Sequence, residues 1–268
     1  MPHIRVGELS LFYQKYSSRH SQESVLFLPG LGMDHTVWGY QARRLSDKFS
    51  CIGIDNRDVG KSDCAPAAYT IMDMAGDAVG IMDGLGIASA HVVGWSMGSA
   101  IAQEVAINWP ERVNKLCLVA SYHYGDPRGT ERHETFAKLR EALDLETYLK
   151  IVYPWSFSYQ SYQKPGFIDG MRKRALENPS TQPKAAYERQ VAATVNHHTR
   201  GRLSAIKAET LVLVGEEDIL TPPVRFARAM AEEIPRSKLV IIPEVGHSLL
   251  AEAPDAVSEA LEGFLSGS

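Results

Sequence analysis

Residues 91–100 read HVVGWSMGSA, and the role of Ser96 within them decides the reading of the whole chain. Gly94-Trp95-Ser96-Met97-Gly98 is a Gly-x-Ser-x-Gly string. Such a string arises by chance, so its surroundings carry the weight. An apolar run, AHVV, precedes it, and a helical pattern, MGSAIAQEVAINW, follows. A strand-to-helix turn this tight forces the serine into strained backbone, and the glycines keep the space beside it clear. The hydroxyl then stands at the tip of a sheet above a helix N-terminus. The plainer alternative is a serine that only caps the helix. The strand before and the helix after favour a nucleophile.

Outward from this point, apolar runs alternate with helical patterns. LSLFYQKYS (9–17), SVLFLPG (24–30), CIGID (51–55), AHVVG (90–94), NKLCLVAS (114–121), TLVLVG (210–215) and KLVIIP (238–243) read as strands. Several are near-continuously apolar, as a sheet covered on both faces requires. Helices are expected over 36–47, 70–85, 97–108, 223–234 and 254–265, the second opened by Thr70 with Asp73 three residues on. The alternation implies βαβ crossovers and a mostly parallel, doubly wound α/β sheet of about eight strands. The first two runs, 9–17 and 24–30, are expected to form an antiparallel edge. From 122 to 205 no core strand is visible, the pattern is helical, and aromatics are dense. This divides the chain into a core, 1–121 with 206–268, and a helical cap insertion, 122–205, over the ligand-binding edge of the sheet.

The 268 residues are 44 % apolar and 22 % charged, with a net charge of −4. That balance is ordinary for a globular chain. It offers phosphate no attraction, so neither nucleic acid nor a membrane is an expected partner. The start, MPHIRVGELS, carries no secretory pattern, and no apolar run approaches the roughly 18–20 residues of a membrane span. Three widely spaced cysteines, Cys51, Cys64 and Cys117, suit a reduced, cytoplasmic setting. No Cys-x-x-Cys is present, and His197-His198 lacks partners at ligand spacing, so no metal is expected.

A serine hydroxyl needs a base, and the base needs an orienting carboxylate. Of nine histidines, His247 stands out: it follows the last strand in IIPEVGHSLLAEAP, on a loop opening at the same sheet edge as Ser96. The acid is expected after the strand LVLVG, where Asp218 is preferred over Glu216 and Glu217 because the loop has by then turned toward the site. The order Ser, Asp, His follows. Backbone donors for an oxyanion are expected from Met97, next to the nucleophile, and from Leu31 in PGLGMDHTVW.

Together the segments PGLG (29–32), DNRDVGKSD (55–63), GWSMG (94–98), GEEDILTPP (215–223) and EVGHSLLAEAP (244–254) resemble the α/β-hydrolase superfamily, in its order and over nearly the whole chain outside the cap. The chain is similar to the serine-nucleophile branch, small carboxylesterases and 3-oxoadipate enol-lactonases. The resemblance implies hydrolysis and leaves the acyl group open; the expected reaction is cleavage of a carboxylic ester with a small or medium apolar acyl group, through an acyl-enzyme. An enol-lactone, or a carbon–carbon bond beside a ketone, is the alternative for the same triad, and a ligand sensor is a further one. Dehalogenases and many epoxide hydrolases of this fold carry aspartate where Ser96 stands. Asp58 departs from the commoner glycine of its loop. With no Rossmann fingerprint and no phosphate loop, no cofactor is implied. Trp95, His35, Tyr122 and Trp155 are the candidate substrate contacts, and the aromatic cap suggests an apolar pocket. Arg140, Arg172 and Lys173 would be the cations for a dicarboxylate substrate, although a solvated helix face explains them better.

Overall fold

The computed structural model describes residues 2–16, 23–178 and 182–267. Among these, eight strands form one sheet: β1 (His3–Val6), β2 (Leu9–Tyr16), β3 (Ser24–Leu28), β4 (Ser50–Ile54), β5 (Ala90–Trp95), β6 (Val113–Val119), β7 (Glu209–Gly215) and β8 (Ser237–Ile242). Their spatial order is β1-β2-β4-β3-β5-β6-β7-β8. From β4 onward every neighbouring pair is parallel, and β2 is antiparallel to both β1 and β4. The helices in chain order are α1 (Gly39–Leu45), α2 (Ile71–Gly84), α3 (Met97–Asn108), α4 (Pro127–Ala142), α5 (Leu145–Ser156), α6 (Tyr159–Gln163), α7 (Phe167–Glu177), α8 (Lys184–Val195), α9 (Ala227–Glu233), α10 (Leu249–Glu252) and α11 (Pro254–Ser266).

The strand sequences explain the layering. Alternate residues point to opposite faces. Leu26, Val92, Leu116, Leu118, Val212 and Val214 join a core with α2, α3 and α9. Their neighbours Val25, Phe27, Val93, Cys117, Val119, Leu211 and Leu213 join a second core with α1 and α11, around the fully buried Trp38. A strand buried on both faces must be apolar nearly throughout, which is what β3, β5 and β7 show apart from Ser24, His91, Glu209 and Thr210. The helix starts are equally local in origin. Thr70 and Asp73 form the expected capping box of α2, and Asp126 caps α4 ahead of Pro127.

The expected antiparallel edge is corrected. It consists of β1 and β2 joined at Gly7-Glu8, whereas Ser24–Leu28 is an inner parallel strand between β4 and β5. β1 has four residues, none fully buried, so its pattern is too short and too weak to read. SVLFL is buried at every position, which an edge strand facing solvent is not. Two helices are also shorter than expected. A 3₁₀ turn, His35–Trp38, precedes α1, and α9 begins only at Ala227 after the Pro222-Pro223 turn. Ser17, the last residue of the first expected strand, and His20 lie outside the described residues.

Five helices among the described residues, α4 to α8, lie between β6 and β7. They are stitched to the sheet domain by polar contacts. Arg189 on α8 makes a two-pronged ion pair with Asp58, at 2.9 and 2.6 Å. The Asp58 carboxylate also accepts from the Tyr69 hydroxyl and the Ala65 amide, both at 2.8 Å. Asp58 has φ +71°, a conformation that favours glycine, and its carboxylate anchors this second layer.

Candidate active site

β5 runs directly into α3 at Ser96, which has φ +55° and ψ −117°. Such backbone costs on the order of 1–3 kcal/mol and persists only where the surroundings impose it. The surroundings here are two glycines. A Cβ at Gly98 would lie 2.1 Å from the Leu28 carbonyl oxygen, and one at Gly94 would lie 2.2 Å from that of Gly98. No residue with a side chain fits either position. The Ser96 amide is held by the Val119 carbonyl at 2.9 Å. Its hydroxyl makes no capping bond to α3, which removes the plainer alternative for this serine.

The hydroxyl instead faces His247 Nε2 at 3.0 Å, and His247 Nδ1 lies 2.8 Å from Asp218 Oδ2. The Nδ1–H therefore donates to the carboxylate, which leaves Nε2 as the acceptor toward Ser96. Asp218 is 2 % exposed and His247 6 %. Asp218 also accepts from the Leu220 amide at 2.9 Å, the Thr221 amide at 2.8 Å and the Thr221 hydroxyl at 2.6 Å. Burial alone raises this carboxyl, yet the His247 charge and the bonds from His247 and Thr221 outweigh it and hold the group below the usual carboxylate range. The loop carrying His247 is tied down separately. Trp95 Nε1 donates to the His247 carbonyl at 3.1 Å, and Glu252 accepts from the amides of Gly246 and Ser158.

Leu31 and Met97 flank the serine as expected, and neither backbone N–H has a partner among the described residues. The Met97 amide opens α3, where the helix dipole adds to its pull on negative charge. The Leu31 loop is fixed from the other side: the Gly32 amide donates to Gln190 Oε1 of α8 at 3.0 Å.

Ser96 and His247 open on a narrow cleft, partly open to solvent. Leu31, Tyr124, Val195, Leu220 and Phe226 give it apolar surface, and Tyr122, Asp126, Arg132, His133, Thr194 and Thr221 give it polar surface. Of the four expected substrate contacts, only Tyr122 lines it. Trp95 belongs to the core on the other face of the sheet and serves the His247 loop. His35 is buried against Asp55, with Nδ1 at 2.7 Å from Oδ1, and its ring packs on Phe12. Trp155 stands behind Arg132, its ring 5.8 Å from the guanidinium carbon. The lining surface is nonetheless mainly apolar, as the aromatic cap suggests, with Tyr122, Tyr124 and Phe226 as its aromatic members.

The other expected cations lie elsewhere. Arg140 stacks on Tyr148 and Tyr187, Arg172 pairs with Asp169, and Lys173 faces Glu177 at 3.9 Å. Arg132, His133, Thr194 and Gln190 were not legible in advance. α4 is polar nearly all round, so no periodic signal says which face meets the cleft. Asp34, His35 and Asp55 bring three ligand-type atoms within 4.8 Å. Their oxygens are already engaged, Asp55 by His35 and the Lys61 amide, and Asp34 by Thr36 and Asn178.

A strained serine on a strand-to-helix turn, followed in the chain by an acid and a histidine on loops after later strands, defines an α/β-hydrolase. The family model for the alpha/beta hydrolase fold matches residues 23–254, and the chain belongs to that family. Over 92 % of its length it is 27 % identical to the RutD protein of Caulobacter segnis, named as a candidate carbamate hydrolase, and covers 92 % of it. Among solved structures it is similar to the enol-lactonase from Burkholderia xenovorans LB400, with TM-score 0.87, 26 % identity, and 99 % and 100 % of the two chains covered. A thermophilic esterase from Thermogutta terrifontis is similar at TM-score 0.85 and 26 % identity, with 98 % and 97 % covered. No helix among the described residues is long and apolar enough to cross a membrane.

Proposed function

We propose that the protein is a serine hydrolase that cleaves a carboxylic ester of a small or medium acyl group through an acyl-enzyme. The observation that carries this is the continuous chain Ser96 Oγ to His247 Nε2 at 3.0 Å and His247 Nδ1 to Asp218 at 2.8 Å. Ser96 attacks the acyl carbon as His247 takes its proton. Asp218, held ionised, orients the imidazole and stabilises its cationic form. The amides of Leu31 and Met97 receive the charge that develops on the carbonyl oxygen. His247 then returns the proton to the departing alcohol, and water repeats the cycle to free the acid. The apolar stretch of the cleft, Leu31, Val195, Leu220 and Phe226, receives the acyl chain. Residues 122–205 act as the cap that closes this space over the serine.

A lactone is a cyclic ester, and the same steps open it. The likeness to an enol-lactonase favours this as the second reading. The test is hydrolysis of p-nitrophenyl esters from acetate to laurate by the wild type and Ser96→Ala. Turnover peaking at one chain length and falling about 10⁴-fold or more in Ser96→Ala supports the mechanism. A variant that retains the wild-type rate overturns it.

A further inference from the structure

Buried polar atoms without partners are rare, and each calls for an account. Among the described residues Arg132 Nε is such an atom, and Arg132 lines the cleft that holds Ser96. Tyr122 and Thr194 line the same cleft, where their hydroxyls face each other.

Arg132 is the group that calls for an account. Its Nη2 donates to the Leu220 carbonyl at 3.1 Å and its Nη1 to that of Ile219 at 3.5 Å. Both acceptors are neutral, and the Trp155 ring covers one side. No carboxylate lies within 4 Å of Arg132 among the described residues. The nearby carboxylates are engaged elsewhere. Asp126 pairs with Arg225 at 3.1 Å and accepts from the Gly129 amide, and Asp218 holds His247 and Thr221. His133 adds no second cation. Its Nδ1–H donates to the Gly129 carbonyl at 2.7 Å, and burial pushes its pKa down to about 4. A guanidinium in a sheltered cleft, backed by two carbonyls, with its Nε–H and one N–H of each Nη unused, is a receptor for a planar anion.

We propose that Arg132 receives a carboxylate carried by the substrate, so that the preferred substrates are esters or lactones bearing a second, ionised carboxyl group. This rests on the serine-hydrolase reading for turnover but not for binding. The apolar stretch beside the serine takes the carbon chain, and Arg132 takes its charged end.

Turnover is followed in a pH-stat with monoethyl glutarate, whose carboxylate is on the acyl side, and O-butyrylglycolate, whose carboxylate is on the alcohol side. Ethyl butyrate is the neutral reference. The wild type is expected to favour one of the two anionic esters in kcat/KM. Arg132→Gln is expected to reduce that preference about 10- to 100-fold, with Arg132→Lys between the two. Arg140→Gln, outside the cleft, keeps the wild-type preference. In parallel, calorimetry on Ser96→Ala compares monoethyl with diethyl glutarate, and O-butyrylglycolate with its ethyl ester. The anionic form of one pair binds more tightly, and the added Arg132→Gln abolishes the difference. Turnover without any anionic preference overturns the proposal and leaves the hydrolase reading standing. No turnover, together with Arg132-dependent binding of an anionic probe, overturns the hydrolase reading and leaves the proposal standing. A preference that survives Arg132→Gln in a variant with wild-type Tm also overturns it.

Discussion

On the sheet side of the cleft, Ser96, His247, Asp218 and Thr221 are joined in one chain of hydrogen bonds, and every Asp218 oxygen has a donor. Across from them, Arg132 comes from α4 and keeps its buried Nε with no partner. One side is complete without a ligand. The other is complete only with one. A catalytic group must be oriented before substrate arrives, because reorganising it during reaction would add to the barrier. A recognition group gains by exchanging few protein bonds for substrate bonds. The two sides differ in satisfaction because they differ in task.

The sharpest way to break that comparison is Asp218→Asn. The amide nearly matches the carboxylate in shape but cannot stabilise a cationic His247, and it can donate toward Nδ1 and so favour the wrong tautomer. We expect kcat on the best p-nitrophenyl ester to fall by about 10³- to 10⁴-fold with KM little changed. A loss below tenfold would show that the sheet side is not organised around this carboxylate.

Acid is expected to separate the two sides next. His123, His133 and His197 are all neutral in the fold, because burial pushes the first two down to about 4 and the third to about 3. Their positions, at the start of the helical segment and on it, place the effect there. The unfolded chain binds their protons from about pH 6.5 downward, and the folded chain resists. Stability from these groups is therefore complete above pH 6.5 and is lost as pH falls toward 4, by several kcal/mol between them. Urea unfolding from pH 7.5 to 4.5 measures it. His133→Gln, His123→Gln and His197→Gln should each flatten the slope. A midpoint independent of pH would mean that these rings titrate alike in both states.

The sheet side was legible in the sequence for the reason that makes it stable. Gly94 and Gly98 are required by backbone contacts, and the serine, acid and histidine follow strands with mainly apolar runs. Local rules and the fold agree there. Trp95 and His35 failed as expected substrate contacts because the face to which a side chain turns is a tertiary fact. Trp95 alternates away from the cleft along β5, and His35 is captured by an aspartate 20 residues on. Arg132 gave no signal, since its helix has charge on nearly every side and only the loop at Leu220 selects this arginine. Four-residue β1 was invisible because too few of its residues are buried to set a pattern.

The join between the two sides should show a smaller effect. Arg189→Met leaves the Asp58 carboxylate buried with the Tyr69 hydroxyl and one amide as its remaining donors. We expect a loss of about 3 kcal/mol in urea unfolding. Asp58→Gly relieves the positive φ as it removes the charge, so the double variant should be more stable than Arg189→Met alone. Additive losses would mean that the pair does not couple helix α8 to the loop.

The smallest effect bears most directly on whether the sheet side is self-contained. Gln190 is fully buried on α8. It accepts from the Gly32 amide at 3.0 Å and donates to the Arg57 carbonyl at 3.1 Å. Gly32 follows Leu31, so the helical segment fixes one of the two amides assigned to the oxyanion. Gln190→Leu removes that hold without touching Ser96, His247 or Asp218. If the amide must be held from outside, kcat drops about five- to tenfold, KM moves less, and Gln190→Glu, which keeps the acceptor for Gly32, recovers most of the rate. If kcat is unchanged in a stable Gln190→Leu variant, the oxyanion loop is set by the core alone, and the division between the two sides is sharper than the hydrogen bonds across it imply.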